Sequence, residues 1–254
     1  MSYFFEVIKN YLFIQFSLLF FIAPFYLAYK YTHPEIKFKH LALNKHIEDF
    51  LSSPQADYLV FTWALMEAVF WYIIPEFLLL LLVFLRVKSR PRLLLYDILG
   101  TFIGTITGIA LSTFSHINPA TMLYVNQHMV DQVQLWYHAL GPLALLFQPF
   151  SGIPYKVFVL SIHSFNLNLI WFVVIAFVVR IARYFIFYSI FTGLYPFLHR
   201  IISRNYARVF VVSCFIFSVV LLNIYHSYGA GYIVNDRGVG VIKQVILLIK
   251  ERLP

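Results

Sequence analysis

Residues 58–85 read YLVFTWALMEAVFWYIIPEFLLLLLVFL. A fully helical run of this length would extend about 42 Å at 1.5 Å per residue. That is longer than one hydrocarbon core of about 30 Å and too short for two crossings. Pro75 interrupts the run, because proline removes a helical hydrogen bond. Two readings fit: one long kinked helix, or a re-entrant hairpin that turns at Pro75. Flanking charge separates them. Lys30, Lys37, Lys39 and Lys45 precede the run, and Arg86, Lys88, Arg90 and Arg92 follow it. Basic residues mark the cytoplasmic side of a membrane, so the segment is expected to enter and leave by the same face.

The rest of the chain supports a membrane setting. Of 254 residues, 61% are hydrophobic and only 12% are charged. A soluble domain carries about 25% charged residues, so a soluble enzyme and a disordered chain are excluded. The net charge of +8 does not indicate a nucleic-acid binder, since no basic stripe runs through polar surface. Polar and apolar residues do not alternate, which excludes a β-barrel. Cys214 is the single cysteine and lies in an apolar run, as a packed thiol does.

Four further apolar regions are Tyr11–Tyr29, Leu93–Phe114, the composite Val133–Phe197 and Val209–Tyr228. The first is too long for a signal-peptide core and is read as a retained helix. The composite is punctuated by Gly141-Pro142, Gln148-Pro149 and Ser151-Gly152-Ile153-Pro154. Residues 115–132 hold no Lys or Arg and are expected outside, whereas Arg200, Arg204 and Arg208 mark an internal loop. One crossing, about 168–191, must lie between them. That leaves 133–164 to enter and leave from the outside, as a second hairpin. The expected fold is therefore an all-α integral membrane protein with about four transmembrane helices. Two opposed re-entrant helical hairpins form an inverted repeat, the hallmark of many transporters. Both termini fall outside. The domain reading is 1–57 for the first span and a polar loop, 58–197 for the hairpin core, and 198–254 for the last span and a tail. In that tail Val241, Ile242, Val245, Ile246 and Ile249 share one helical face, fit either for the membrane interface or for packing on the bundle.

Charges inside apolar segments carry the functional signal. An ionisable group near mid-bilayer costs at least about 2.5–3.5 kcal/mol, so it faces a cavity or a partner. Glu67 lies well inside the first half-hairpin. It is suited to carrying or gating a proton, or to a plain ion pair with Arg180 or Arg183. Glu76 follows Pro75, where a carboxylate also simply caps a helix start. Asp97 shares a face with Gly100, Gly104 and Gly108; glycines at that spacing allow close helix packing. Its alternative is a helix-start acid at the interface. Lys156 follows Gly152 and Pro154 at a second break, where the helix dipole opposes a cation unless an anion is near. Lys156, Arg180 and Arg183 are thus the candidate phosphate ligands, the two arginines sharing a face. Snorkelling to the interface is the alternative for Lys156 and Arg183. Pro75, Gly152 and Pro154 are the expected hairpin breaks. His116, His128 and His138 lack metal-ligand spacing, so no metal or cofactor is expected. Ser161, His163 and Ser164 hint at a hydrolase dyad, but no Gly-x-Ser-x-Gly element supports it.

Several motifs together resemble the DedA or VTT-domain (SNARE-associated Golgi protein) membrane family. They are Glu67-Ala-Val-Phe-Trp-Tyr-Ile-Ile-Pro75-Glu76, Leu99-Gly-Thr-Phe-Ile-Gly-Thr-Ile-Thr-Gly108, Phe150-Ser-Gly-Ile-Pro154-Tyr-Lys156-Val-Phe158 and Val179-Arg180-Ile-Ala-Arg183-Tyr-Phe185. The match spans about residues 58–197 and follows the family branch that carries Pro-Tyr-Lys. Lys156 stands at the second arginine of the family's Arg-Phe-x-Pro-x-x-Arg pattern. The first arginine has no counterpart, and Ile109 follows Gly108 where the family usually has a tyrosine nearby. The resemblance implies a flippase or scramblase in a bacterial inner (plasma) membrane. Its partners would be membrane lipids with phosphate head groups, such as undecaprenyl phosphate or a phospholipid, with protons as a coupling ion and no nucleic acid. Glu67 and Glu76 match the acidic positions of the first hairpin. Two other classes compete: a structural or partner-binding membrane protein whose charges pair internally, and, behind it, a lipid-phosphate enzyme.

Overall fold

The structure is a computed structural model that describes residues 2–34, 43–74, 84, 90–115, 117–165, 167–204 and 206–229. Those residues form helices and connecting turns, with no strand among them. In chain order the α-helices are α1 (Ser2–Thr32), α2 (Leu43–Leu51), α3 (Pro54–Val69), α4 (Arg90–Ser115), α5 (Gln127–Leu140), α6 (Gln148–Ser151), α7 (Tyr155–Leu160), α8 (Leu169–Arg204) and α9 (Tyr206–Gly229). Short 3-10 turns occupy Pro119–Thr121, Gly141–Phe147 and Ile162–Ser164.

Among the described residues, four helices are long and apolar enough to cross a membrane: Phe4–Thr32, Pro91–Ser115, Leu169–Arg200 and Arg208–Gly229. They coincide with the four crossings expected from the sequence, each running past the expected bounds at one end or both. The outward faces of these helices are rich in exposed Phe, Leu, Ile and Val, among them Phe16, Phe20, Ile170 and Val212. Apolar side chains on the outside are what a lipid solvent selects.

The helix directions follow from their cross-links. At one end of the bundle, Gln55 Nε2 donates to Thr32 Oγ1 at 3.1 Å, and Arg92 pairs with Asp57 at 3.0 Å. At the other end His226 meets Glu6 at 3.1 Å, and Asn126 Nδ2 donates to the Tyr225 carbonyl at 3.0 Å. We call the first the basic end, since Lys30, Arg92, Arg204 and Arg208 gather there, and the second the loop end. Helices α1 and α9 therefore run antiparallel, joined in their interior by Asn10, whose Nδ2 donates to Ser218 Oγ at 2.8 Å.

Helices α3 and α4 run parallel, both starting at the basic end. A Cβ on Gly100 would lie 2.3 Å from the Phe61 carbonyl oxygen, and one on Gly104 would lie 2.7 Å from that of Leu65. A Cβ on Gly108 would meet Val159 of α7 at 2.6 Å. The glycine face predicted for close packing thus seats two different helices. Helix α3 stops beside Gly108, while α4 continues to Ser115, about 10 Å further.

Helix α3 already ends ahead of Pro75. Helix α3 ends at Val69 with Phe70 as its C-cap, whose N–H donates to the Met66 carbonyl. The following Trp71–Ile74 is non-helical, tied back where Trp63 Nε1 donates to the Ile73 carbonyl at 2.9 Å. A proline disfavours helical geometry in the residue before it, and a run of bulky aromatic and β-branched residues adds to the cost of helix. Pro75, Glu76, Lys37, Lys39, Arg86, Lys88 and the amphipathic tail lie outside the described residues.

The second region breaks twice. Gly141 has φ +57° and Gly152 has φ +73°, values that glycine adopts without steric cost. Between α5 and α7 the chain turns back, and Tyr137 of α5 donates its hydroxyl to the Phe158 carbonyl of α7 at 2.7 Å. The Gly152 break is pinned from within and from α9. The Ile153 N–H donates to Ser151 Oγ at 3.1 Å, and Tyr228 OH donates to the Ser151 carbonyl at 3.0 Å.

Candidate functional site

Five of the charged residues singled out from the sequence lie between α3, α4, α7 and α8. Glu67, Asp97, Lys156, Arg180 and Arg183 are all buried. Arg180 Nη2 of α8 donates to Glu67 Oε2 of α3, forming an ion pair. The Arg180 guanidinium also lies 4.0 Å above the Tyr155 ring centroid, a cation–π contact that strengthens when both groups leave water. Tyr155 OH in turn shares a hydrogen bond of 2.9 Å with Thr105 Oγ1 of α4.

Arg180 is incompletely satisfied. Its Nε and Nη1 are buried and have no hydrogen-bond partner among the described residues. A guanidinium carries five N–H donors, and a buried donor left unpaired costs about 1–3 kcal/mol. Two such nitrogens on one cation make this the least satisfied polar group of the cluster.

Lys156 sits at the start of α7, as expected, and is fully buried. The groups facing it are carbonyl oxygens. Its Nζ donates to the Phe70 carbonyl and to the Leu123 carbonyl, each at 2.9 Å. Phe70 caps α3, so its carbonyl belongs to the negative end of that helix dipole. A lysine that is unfavourable at its own helix start is thereby stabilised by the end of another helix. Lys156 also ties α3 to the loop of residues 117–126, which reaches inward from the loop end. In that loop Tyr124, at φ +58°, donates its hydroxyl to Asn10 Oδ1 of α1.

A second polar row runs from the ion pair toward the basic end. Tyr184 of α8 donates to Asp97 Oδ1 at 3.3 Å and shares a hydrogen bond of 3.2 Å with Thr101 Oγ1. Asp97 is therefore turned into the bundle toward α8, beyond the role of a solvated helix-start acid. Arg183 lies between Arg180 and Tyr184 in sequence, with its guanidinium 6.0 Å from the Phe187 ring centroid. Glu67, Lys156 and Arg180 are thus brought together, and Asp97 and Arg183 lie toward the basic end.

Sequence reading missed Tyr155, Tyr184, Thr101 and Thr105. A signal was present in Asp97, Thr101 and Thr105, which recur every four residues and so share a helix face. Arg180 and Tyr184 repeat that spacing on the facing helix. The carbonyls of Phe70 and Leu123 had no signal, because backbone acceptors are the same at every residue.

No protein-family model matches this chain. No solved structure matches it either. A stretch of 122 residues is 30% identical to an uncharacterized protein of Haemophilus influenzae, and covers 47% of this chain and 63% of that protein. The chain thus spans less than two thirds of the length of that relative. Among the described residues the chain is helical, with four helices of membrane-spanning length and a buried ionic cluster between them.

Proposed function

We propose that this protein is an integral membrane transporter of the DedA or VTT kind, a flippase or scramblase. It moves a phosphate-bearing lipid, such as undecaprenyl phosphate or a phospholipid, across a bacterial inner membrane. The observation that carries this reading is the meeting of two broken segments at one ionic cluster. Helices α3 and α4 start together at the basic end, and α3, of 16 residues, reaches about 24 Å. A chain that begins both helices at one end must return there between them, which is how a re-entrant hairpin behaves. Helices α5 and α7 enter from and return toward the loop end. The tips of these opposed segments touch through Lys156 and the Phe70 carbonyl. Broken helices that approach from opposite sides and meet at an ionic site are the general plan of inverted-repeat transporters.

In this proposal the two unpaired nitrogens of Arg180, Nε and Nη1, each donate a hydrogen bond to a lipid phosphate, and Nη2 completes a fork with either of them once Glu67 lets go. Lys156 exchanges its carbonyl partners for the same phosphate. Glu67, released from Arg180, takes up a proton. The chain acts as a carrier and makes no covalent change to the lipid. In reconstituted liposomes the wild-type chain is expected to translocate a fluorescent phospholipid or undecaprenyl phosphate, and Lys156→Ala to abolish this while still inserting. Unchanged translocation by Lys156→Ala overturns the reading.

A structural or partner-binding role is favoured by one observation. Glu67 with Arg180, and Lys156 with its two carbonyls, already pair inside the bundle. The double substitution developed in the Discussion separates the two readings.

A further inference from the structure

Lys156 has no exposed surface, yet both of its partners belong to residues that reach the outside of the protein. Phe70 is 41% exposed and Leu123 is 53% exposed, and the carbonyl of each accepts a hydrogen bond from Lys156 Nζ. On the loop-end side a single layer of peptide therefore covers the ammonium. The chain on either side of Lys156 lies deep, with Tyr155, Val157, Phe158 and Val159 all buried.

The two halves of this cover come from different segments. Phe70 caps α3 and leads into the non-helical Trp71–Ile74, whereas Leu123 belongs to the loop between α4 and α5. Among the described residues no backbone hydrogen bond joins the two segments. Lys156 bridges them, and the rings of Tyr72 and Tyr124 meet with centroids 4.8 Å apart. Each half is also tied to α1. Tyr72 OH donates to Ser17 Oγ at 3.0 Å, and Tyr124 OH donates to Asn10 Oδ1. Asn10 is itself fixed by its bond to Ser218 of α9. Tyr124 lies at φ +58°, a left-handed conformation that an aromatic residue adopts only under constraint. The closed cover thus holds backbone strain that is released when residues 123 and 124 swing away.

We propose that Phe70 and Leu123 form a gate over Lys156, latched by Lys156 and Tyr124, which parts on the loop-end side to admit a phosphate to the cluster. What passes the gate rests on the transport reading above; the gate itself does not. Parting takes two acceptors from Nζ, and phosphate oxygens replace them with charge-assisted hydrogen bonds. The anion therefore binds the open arrangement better than the closed one, and its arrival shifts the gate toward open. Closing again returns Nζ to the two carbonyls and leaves no room for the anion between them.

The test locks the cover. Phe70→Cys and Leu123→Cys, both at exposed positions, are bridged in the full chain by a short bis-methanethiosulfonate; native Cys214 is buried. Acetylation of Lys156 by an N-hydroxysuccinimide ester is timed by peptide mass spectrometry in mixed micelles, with exposed Lys45 as the internal standard. Bridging is expected to slow Lys156 at least tenfold, to leave Lys45 as it was, and to be undone by a thiol reductant. A control bridge at the same end, Glu6→Cys with His226→Cys, is expected to leave Lys156 unchanged. Tyr124→Phe, which loses the bond to Asn10, is expected to speed Lys156 severalfold. A Lys156 rate that ignores the Phe70–Leu123 bridge, or that Tyr124→Phe leaves unchanged, overturns the proposal. So does equal slowing by the control bridge. A second arm separates the gate from the transport reading. In proteoliposomes the bridged protein is expected to move no phospholipid until it is reduced. Translocation by the bridged protein, with Lys156 shielded, overturns passage of the lipid by this gate. An unbridged protein that moves no lipid, with Lys156 gated as expected, refutes the transport reading and leaves the gate standing.

Discussion

Replacing Glu67 and Arg180 singly and together decides between a transporting and a structural cluster. Their side chains are 2% exposed for Arg180 and 6% for Glu67, so each singly substituted protein keeps an uncompensated buried charge. Breaking a buried pair in this way costs about 3–5 kcal/mol, or roughly a hundredfold to a few thousandfold in the folding equilibrium at about 1.4 kcal/mol per decade. Removing both charges has a different outcome. Glu67→Met with Arg180→Met keeps apolar volume in the bundle, and such replacements range from neutral to about 1–4 kcal/mol stabilising. The pair also carries an insertion cost of about 2.5–3.5 kcal/mol for each charged residue at the helix centre, which the double variant no longer bears. The assay has two arms: denaturant unfolding in mixed micelles, and lipid translocation in proteoliposomes. Each single variant is expected to unfold far more readily than wild type. The double variant is expected to regain wild-type stability yet translocate no lipid. Full translocation by the stable double variant would refute the role assigned to the cluster. Wild-type stability in Arg180→Met would refute the buried pair itself.

Four other outcomes follow from the same packing. Gly104→Ala puts a Cβ 2.7 Å from the Leu65 carbonyl and 2.8 Å from Ala68 Cβ, and is expected to cost about 1–3 kcal/mol in an unfolding titration. Gly193→Ala, which meets nothing within 4 Å, is expected to be neutral or slightly stabilising in the same titration. Lys156→Met removes the hydrogen bonds to Phe70 and Leu123; faster amide hydrogen exchange at residues 121–126 is expected, and unchanged exchange there would show that the loop holds without the clasp. Cysteines replacing Tyr31 at the basic end and His128 at the loop end are expected to react with an impermeant maleimide from opposite faces of the membrane. Labelling of both from one face would contradict the placement of the basic and loop ends on opposite sides of the membrane.

The spans were legible because a crossing needs only length and apolarity, which composition reports directly. Leu93–Phe114 anticipates Pro91–Ser115 within two residues at each end. The glycine row at 100, 104 and 108 was legible as a close contact, though nothing in it says that α3 takes two of the positions and α7 the third. Glu67 was legible as a charge without water, and the same logic named Arg180 as its possible partner. The end of α3 at Val69 was not legible, because it falls in a run of bulky aromatic and β-branched residues whose small individual costs for helix add up. Tyr155 and Tyr184 escaped because tyrosine reads equally well as apolar filling; only the facing threonines reveal its hydroxyl. The clasp at Lys156 was read as a place for an anion. Two carbonyls occupy it, and backbone oxygens leave no trace in a list of side chains.

The parallel course of α3 and α4 bears on how the chain is assembled. Synthesis delivers α3 first, yet its 16 residues are fewer than the roughly 20 that a crossing requires, and Glu67 burdens them further. The surfaces that receive it, at Gly100 and Gly104, emerge only later, with α4. The ion-pair partner Arg180 is later still, on α8. During biogenesis α3 therefore has no stable depth of its own and must wait at the membrane surface until its seat has been inserted. The ionic cluster then closes only when α8 arrives, after α3, α4 and α7 have all been made.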